Sequence, residues 1–143
     1  MLSELLDRLK KSKEFNQCLA KHKNFYLASI FLIENKLEIN YYDKTNRKVI
    51  TFAMERDIKV KEDNMFNNER LSELRLDKIK ISLDDALKIV NNNKNKVITL
   101  QVINGIIVWN IICLDGLSFL NVKIDAISGD VVSREDGSLL NFK

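Results

Sequence analysis

The chain has 143 residues, a hydrophobic content of 45%, a charged content of 30% and a formal net charge of +3. These values suit one domain, or two very small ones packed together, with a real core and a soluble surface. Four glycines and no proline argue against a disordered linker protein. The weak positive charge argues against the concentrated basic surface of a nucleic-acid binder.

The N-terminal segment predicts two helices separated by a break near residues 10–13. The apolar stripe of the first is Leu2, Leu5, Leu6 and Leu9, and that of the second is Phe15, Cys18, Leu19 and His22. This segment lacks the basic start and continuous apolar core of a signal peptide, and no apolar run in the chain reaches membrane-spanning length. We therefore expect a cytoplasmic protein without a membrane segment.

The period then changes to that of strands, at residues 25–33, 37–42 and 49–54, with turns between them. Residues 55–80 are charged and contain asparagines that favour turns. We interpret this stretch as a partly ordered connector in which Leu71 and Leu74 form one short helical face.

The second half begins with a helix whose N-cap is Ser82 and whose end is marked by residues 91–93. Four strands are predicted after it, at residues 97–103, 106–114, 117–125 and 130–133. Asn-Gly and Asp-Gly pairs between them are strong hairpin signals, so the strands form an antiparallel meander. Leu139, Leu140 and Phe142 in the tail are expected to dock on the domain.

The last two strands are joined by a segment with clear turn chemistry. Asp125 can accept hydrogen bonds from turn N–H groups, and Gly129 can take a positive φ. We therefore predict a structural turn formed by Asp125, Ser128, Gly129 and Asp130.

Three segments, taken in order, resemble the PepSY domain family. They are the capped helix start at residues 82–87, the Trp109-Asn110-Ile111 element, and the closing motif at residues 125–131. The resemblance covers roughly residues 81–135. It implies an α+β fold in which a helix packs on an antiparallel meander sheet, and a module that binds or restrains partner proteins without catalytic residues or cofactors.

Echoes between the halves suggest an internal repeat. Asp43 precedes Val49 by six positions, as Asp125 precedes Val131, and the helical stripes of the two halves share their spacing. We accordingly predict an N-terminal α+β half at 1–60, a connector at 61–80 and a PepSY-like half at 81–143. The alternative is that any helix followed by hairpins shows such echoes.

Residue types that carry chemistry are sparse. His22 is the only histidine and is expected to interact with the terminal carbonyls of its helix. Cys18 and His22 share a helical face, but even with Cys113 the set is short of a metal site. The two thiols are expected to be reduced and buried, with a disulfide as the alternative. We predict no catalytic residues, no cofactor and no metal.

Residues 25–33 and 106–114 are apolar on both alternating faces, although one face of an antiparallel sheet is commonly polar. Alternation places Phe25, Leu27, Phe31 and Ile33 on one face and Tyr26, Ala28, Ile30 and Leu32 on the other. We expect the second face to be covered by the other half, a second copy or a client protein. Residues expected in the core or on such an interaction face are Trp109, Phe25, Phe31 and Ile107.

These observations favour a protein-interaction module with an unknown protein partner, which could form a homodimer. Two alternatives stay open at this point. One is a nucleic-acid-associated protein that uses the basic N-terminal helices, although nucleic acid is the less favoured partner. The other is a small enzyme with a dispersed site.

Overall fold

The structure, a computed structural model, describes residues 2–65, 71–92 and 94–140. Its elements in chain order are α1 (Leu2–Lys10), α2 (Lys13–Lys21), β1 (Tyr26–Ile33), β2 (Lys36–Asp43), β3 (Lys48–Met54), β4 (Ile58–Asn64), a 3-10 turn (Leu76–Lys78), α3 (Leu83–Val90), β5 (Asn95–Ile103), β6 (Ile106–Asp115), β7 (Ser118–Asp125) and β8 (Val131–Ser138). The predicted α+β class with an antiparallel meander sheet is confirmed.

All eight strands form one sheet in the order β4-β3-β2-β1-β5-β6-β7-β8. We call α1, α2 and β1–β4 the first group, and α3 and β5–β8 the second group. The groups join through antiparallel pairing of β1 with β5, from Ser29 opposite Gln101 to Ile33 opposite Val97. They lie side by side in one sheet, so the expectation that one half covers the sheet face of the other is wrong.

Local sequence explains where the helices begin and end. The Ser12 side chain accepts a hydrogen bond from the Phe15 N–H at 3.1 Å, which starts α2 and produces the predicted break after α1. The Ser82 hydroxyl accepts from the Asp85 N–H at 3.1 Å and starts α3. Asn91, with a φ of +49°, ends α3 in the left-handed conformation that asparagine tolerates.

The predicted connector contains a strand, because β4 pairs with β3 along its whole length. Ile58 packs against the core, and its alternation with lysines was the signal for this edge strand. Beyond β4, Leu74 is buried in an extended segment, where its N–H donates to the Leu27 carbonyl at 2.8 Å. The predicted helical face of Leu71 and Leu74 is therefore wrong.

The core lies between the helices and one face of the sheet. A bulge in β1 between Leu27 and Ser29 keeps Phe25 and Leu27 on the same face as Ile30. Strict alternation had placed Ile30 opposite those two residues, and the extra residue of the bulge is the reason that this assignment fails.

Two further expectations from the sequence differ from the structure. Leu139 and Leu140 are 36% and 72% exposed, so the predicted docking of the tail is wrong for these two; Phe142 lies outside the described residues. Asp43 ends the second strand of its group and Asp125 ends the third strand of its group. The sequence similarity around these two aspartates therefore relates turns that hold different places in the strand order of the two groups.

Candidate functional site

Three of the four residues predicted for a core or interaction face lie in the core. Trp109 is 1% exposed, and its Nε1–H donates to the Ile81 carbonyl at 2.8 Å. Ile107 is buried on the same face of β6, and Phe25 is buried in the first group. Phe31 is different, because it points to the opposite face of the sheet.

The predicted turn residues lie together between β7 and β8. Asp125 Oδ1 accepts from the N–H groups of Ile127 at 2.8 Å and Ser128 at 3.1 Å. The Ser128 hydroxyl accepts from the Asp130 N–H at 3.2 Å, and Gly129 has a φ of +83°. These bonds satisfy backbone donors of the turn, so the four residues act in its structure.

His22 lies in a buried polar cluster. Its Nδ1 is 2.6 Å from Asp43 Oδ2, and its Nε2 is hydrogen-bonded to Glu62 Oε1. His22 is 3% exposed and Asp43 is 4% exposed. The expectation that the ring would interact with helix carbonyls is wrong, because two carboxylates brought in by β2 and β4 take both ring nitrogens. Leu19, also predicted to face inward, is 38% exposed.

Hydrogen bonds hold both carboxylates in the ionised form. Burial works to raise the pKa of Asp43, but hydrogen bonds from Asn46 and His22 outweigh it and lower that pKa below its ordinary value. Hydrogen bonds from His22 and Lys21 lower the pKa of Glu62. The cluster thus ties the end of α2 to the β2–β3 turn and to the edge strand β4.

The thiols do not extend this cluster into a reactive or metal site. Burial raises the pKa of both Cys18 and Cys113, which keeps them as thiols, and the two are not bonded to each other. Cys113 is far from the cluster around His22, because it lies on β6, five strands away in the sheet from β4, which carries Glu62. Among the described residues, no group of three or more potential ligands is placed to hold a metal ion.

No helix of the described ranges packs on the sheet face opposite the core, which we call the open face, although Tyr42 and Val108 on that face are 3% and 1% exposed. Apolar side chains on this open face adjoin one another across β1, β5, β6 and β7. All are half-buried, and none belongs to the core cluster. We call them the open-face patch: Phe31, Ile33, Val97, Ile112, Leu114 and Phe119.

Polar side chains border the open-face patch. On one side, Thr51 donates to Asn40 at 2.7 Å, and Asn40 donates to Ser29 at 3.0 Å, which forms a ladder across three strands. On the other side lie Asn110 and Asn121, whose Oδ1 atoms are buried and have no hydrogen-bond donor among the described residues. Because atoms of the chain itself already occlude both Oδ1 atoms, a partner laid on the sheet would not reach them without a change of side-chain conformation.

Sequence reasoning placed Phe31 and Ile33 on one face but missed the other four members of the open-face patch. The signal for the other members was the double apolarity of residues 106–114, which contain Ile112 and Leu114. Val97 and Phe119 could be added only from the strand register, because register decides which side chains adjoin across a sheet.

A cavity of about 600 Å³ lies on the helix side, between α1 and the start of α3. Its apolar walls include Leu5, Leu83 and Trp109, and its lining contains no histidine or cysteine. Ser82, which also lines it, already caps α3. The other polar residues of the lining are Ser3, Asp7, Lys10 and Asp84.

Comparisons with known proteins give one informative result. No family model matches the chain, and no curated protein matches it. A solved structure, a putative lipoprotein (CD1622) from Clostridium difficile 630, is similar with a TM-score of 0.63 and 16% identity over 87% of this chain and 90% of that one. At this identity the likeness concerns the fold alone. Within the described ranges, every helix is too short or too polar to cross a membrane.

Proposed function

We propose that this chain is a non-catalytic, PepSY-like protein-interaction module that binds its partner through the open-face patch. The observation that carries the proposal is the patch itself: six large or branched apolar side chains on the sheet face that no described helix covers. Protein interfaces combine such an apolar centre with a polar rim. The ladder of Thr51, Asn40 and Ser29 forms one side of such a rim here.

The proposal also covers the internal repeat. The mirrored strand order, with four sequential strands on either side of the junction between β1 and β5, supports two copies of one helix-plus-four-strand unit. Joining two units edge to edge would produce a sheet face twice as wide as one unit offers. The cytoplasmic location stays a prediction, because the lipoprotein assignment belongs to the structural neighbour and not to this chain.

The test is site-specific photocrosslinking in the native host. A photoreactive phenylalanine analogue replaces Phe31 on the open face, and the control places it at Leu19, which is exposed on α2. We expect a discrete protein adduct from position 31 only. Adding Ile33→Glu should abolish this adduct, whereas Ile89→Glu on the exposed side of α3 should leave it intact.

Both glutamate variants must keep the circular dichroism spectrum of the unmodified chain. No adduct from position 31, an equal adduct from position 19, or an adduct that survives Ile33→Glu would contradict the proposal.

A further inference from the structure

We infer that the occupant of the open-face patch is a second copy of this chain, in a face-to-face dimer whose two-fold axis runs along the strands between β1 and β5. This inference rests on the proposed function because it uses the same surface. It adds the identity of the partner and the geometry of the complex.

The open-face patch spans the β1–β5 junction, with Phe31 and Ile33 on β1 and its other four members on β5, β6 and β7. An isologous interface about that junction brings the patch residues nearest to it together. A two-fold rotation there lays β1 of one copy over β5 of the other, and β2 over β6. Ile33 of one copy then faces Val97 of the other, because the two residues are register partners within each sheet. Sheets packed in this way lie about 10 Å apart, a gap that such side chains fill.

Charges on the open face are complementary under the same rotation. Glu38, Phe31, Thr99, Asn110 and Lys123 form one register row from β2 to β7. The rotation puts Glu38 of one copy over Asn110 of the other, one strand spacing (about 5 Å) from Lys123.

Glu38 and Lys123 are both half-buried, and neither has an ion-pair partner among the described residues. The dimer would give each of them one. Because the interface is two-fold, this ion pair forms twice.

The first experiment measures self-association of the whole chain by light scattering and sedimentation equilibrium at low salt. Glu38→Lys and Lys123→Glu should each raise the dimer Kd about tenfold or more, because each brings two pairs of like charges together. The double variant E38K/K123E should recover the Kd of the unmodified chain to within about threefold, since it reverses both pairs. Lys88→Glu on the exposed side of α3 makes the same charge change as Lys123→Glu and should leave the Kd unchanged.

A second measurement does not depend on charge variants. Thr99 lies beside the proposed axis, so Thr99→Cys in two copies should be bridged by a short bismaleimide. Thr51→Cys lies on β3, far from the axis, and should give no more bridged dimer than the unmodified chain.

A chain that stays monomeric at all concentrations overturns the inference. So does a dimer that responds equally to Lys88→Glu and Lys123→Glu, or one that the double variant fails to restore. If the chain is monomeric but position 31 still crosslinks to a different protein, the proposed function stands and only the second copy is refuted. If neither dimer nor adduct forms, both are refuted.

Discussion

The first group packs four aromatic rings beneath two helices, whereas the second packs aliphatic side chains and one indole beneath a single helix. Phe15, Phe25, Tyr41 and Phe52 form a cluster in which Phe25 and Tyr41 have ring centroids 4.7 Å apart. Burial raises the pKa of Tyr41 in this cluster to about 12. In the second group, Trp109 is the one aromatic side chain of the buried core among the residues that the structure describes.

The groups also differ in how they hold an aspartate at a strand end. Asp43 is buried and bonds to His22 and to Asn46, so it links three elements of the first group. Asp125 is half-buried and bonds to N–H groups of its own turn. One sheet geometry therefore allows a long-range polar anchor in one group and a local one in the other.

The largest expected effect concerns the single indole of the second group. Trp109→Ala should reduce the free energy of unfolding by about 3–5 kcal/mol, because it removes a fully buried ring and leaves a cavity between α3 and the sheet. Urea denaturation followed by circular dichroism measures this. Trp109→Phe serves as the control, since it keeps most of the apolar volume and loses the bond to the Ile81 carbonyl. A loss below 1 kcal/mol for Trp109→Ala would show that the second core does not depend on it.

The next effect separates the two aspartates. Asp43→Ala should cost about 3 kcal/mol at neutral pH, because it leaves His22 Nδ1 buried without its partner. Asp125→Ala should cost about 1 kcal/mol, since it removes only local turn bonds. Denaturation curves of both variants at neutral pH test this order, and equal losses would contradict the distinction between the groups.

The effect of Asp43 also has a pH signature. Because its pKa is lowered on folding, its contribution is fully present above the unfolded pKa of about 3.9 and is lost as pH falls through the folded pKa. The stability difference between the unmodified chain and Asp43→Ala should therefore shrink in acid. A difference that stays constant down to the acid limit would contradict the ionised role of Asp43.

The last effect concerns the backbone of the turn in the second group. Gly129→Ala should cost about 1–2 kcal/mol, because Gly129 has a φ of +83° and an added Cβ would lie 3.2 Å from Ile81 Cδ1. Gly105→Ala is the matched control, since its φ is +79° but nothing lies within 4 Å of the added Cβ. The difference between the two denaturation midpoints isolates the contact with Ile81. Equal midpoints would show that the Ile81 side chain moves away from the added Cβ at no measurable cost in stability.

The sequence predicted the elements better than it predicted their contacts. Ser82 and the Asn-Gly and Asp-Gly pairs act within a few residues, so the helix start and the hairpins could be read locally. Strand β4 was not predicted from the sequence. Of its residues, Ile58 alone packs against the core, so this edge strand leaves a weak apolar pattern. The bulge between Leu27 and Ser29 could not be predicted from the apolar pattern, and it reversed the face assigned to Ile30 relative to Leu27.

The candidate site was predicted only in outline, because it depends on register and on distant partners. Because residues 25–33 and 106–114 are apolar on both faces, the sequence indicated that a second face of the sheet needs to be covered. The contiguity of Phe31 with Val97 and Ile112 follows from pairing β1 with β5, which no local pattern encodes. The partners of His22 likewise come from strands about 20 and 40 residues later in the chain.

The central β1–β5 pair has a consequence for synthesis on the ribosome. When the first group emerges, β1 can pair with β2 on one edge, but Gln101, the register partner of Ser29, has not yet been translated. The other edge of an apolar strand therefore stays open while most of the second group is made, and such edges recruit other strands. The nascent chain must remain soluble or chaperone-bound through this interval, and mutations that slow translation between α3 and β5 should lower the yield of folded protein without changing the stability of the finished molecule.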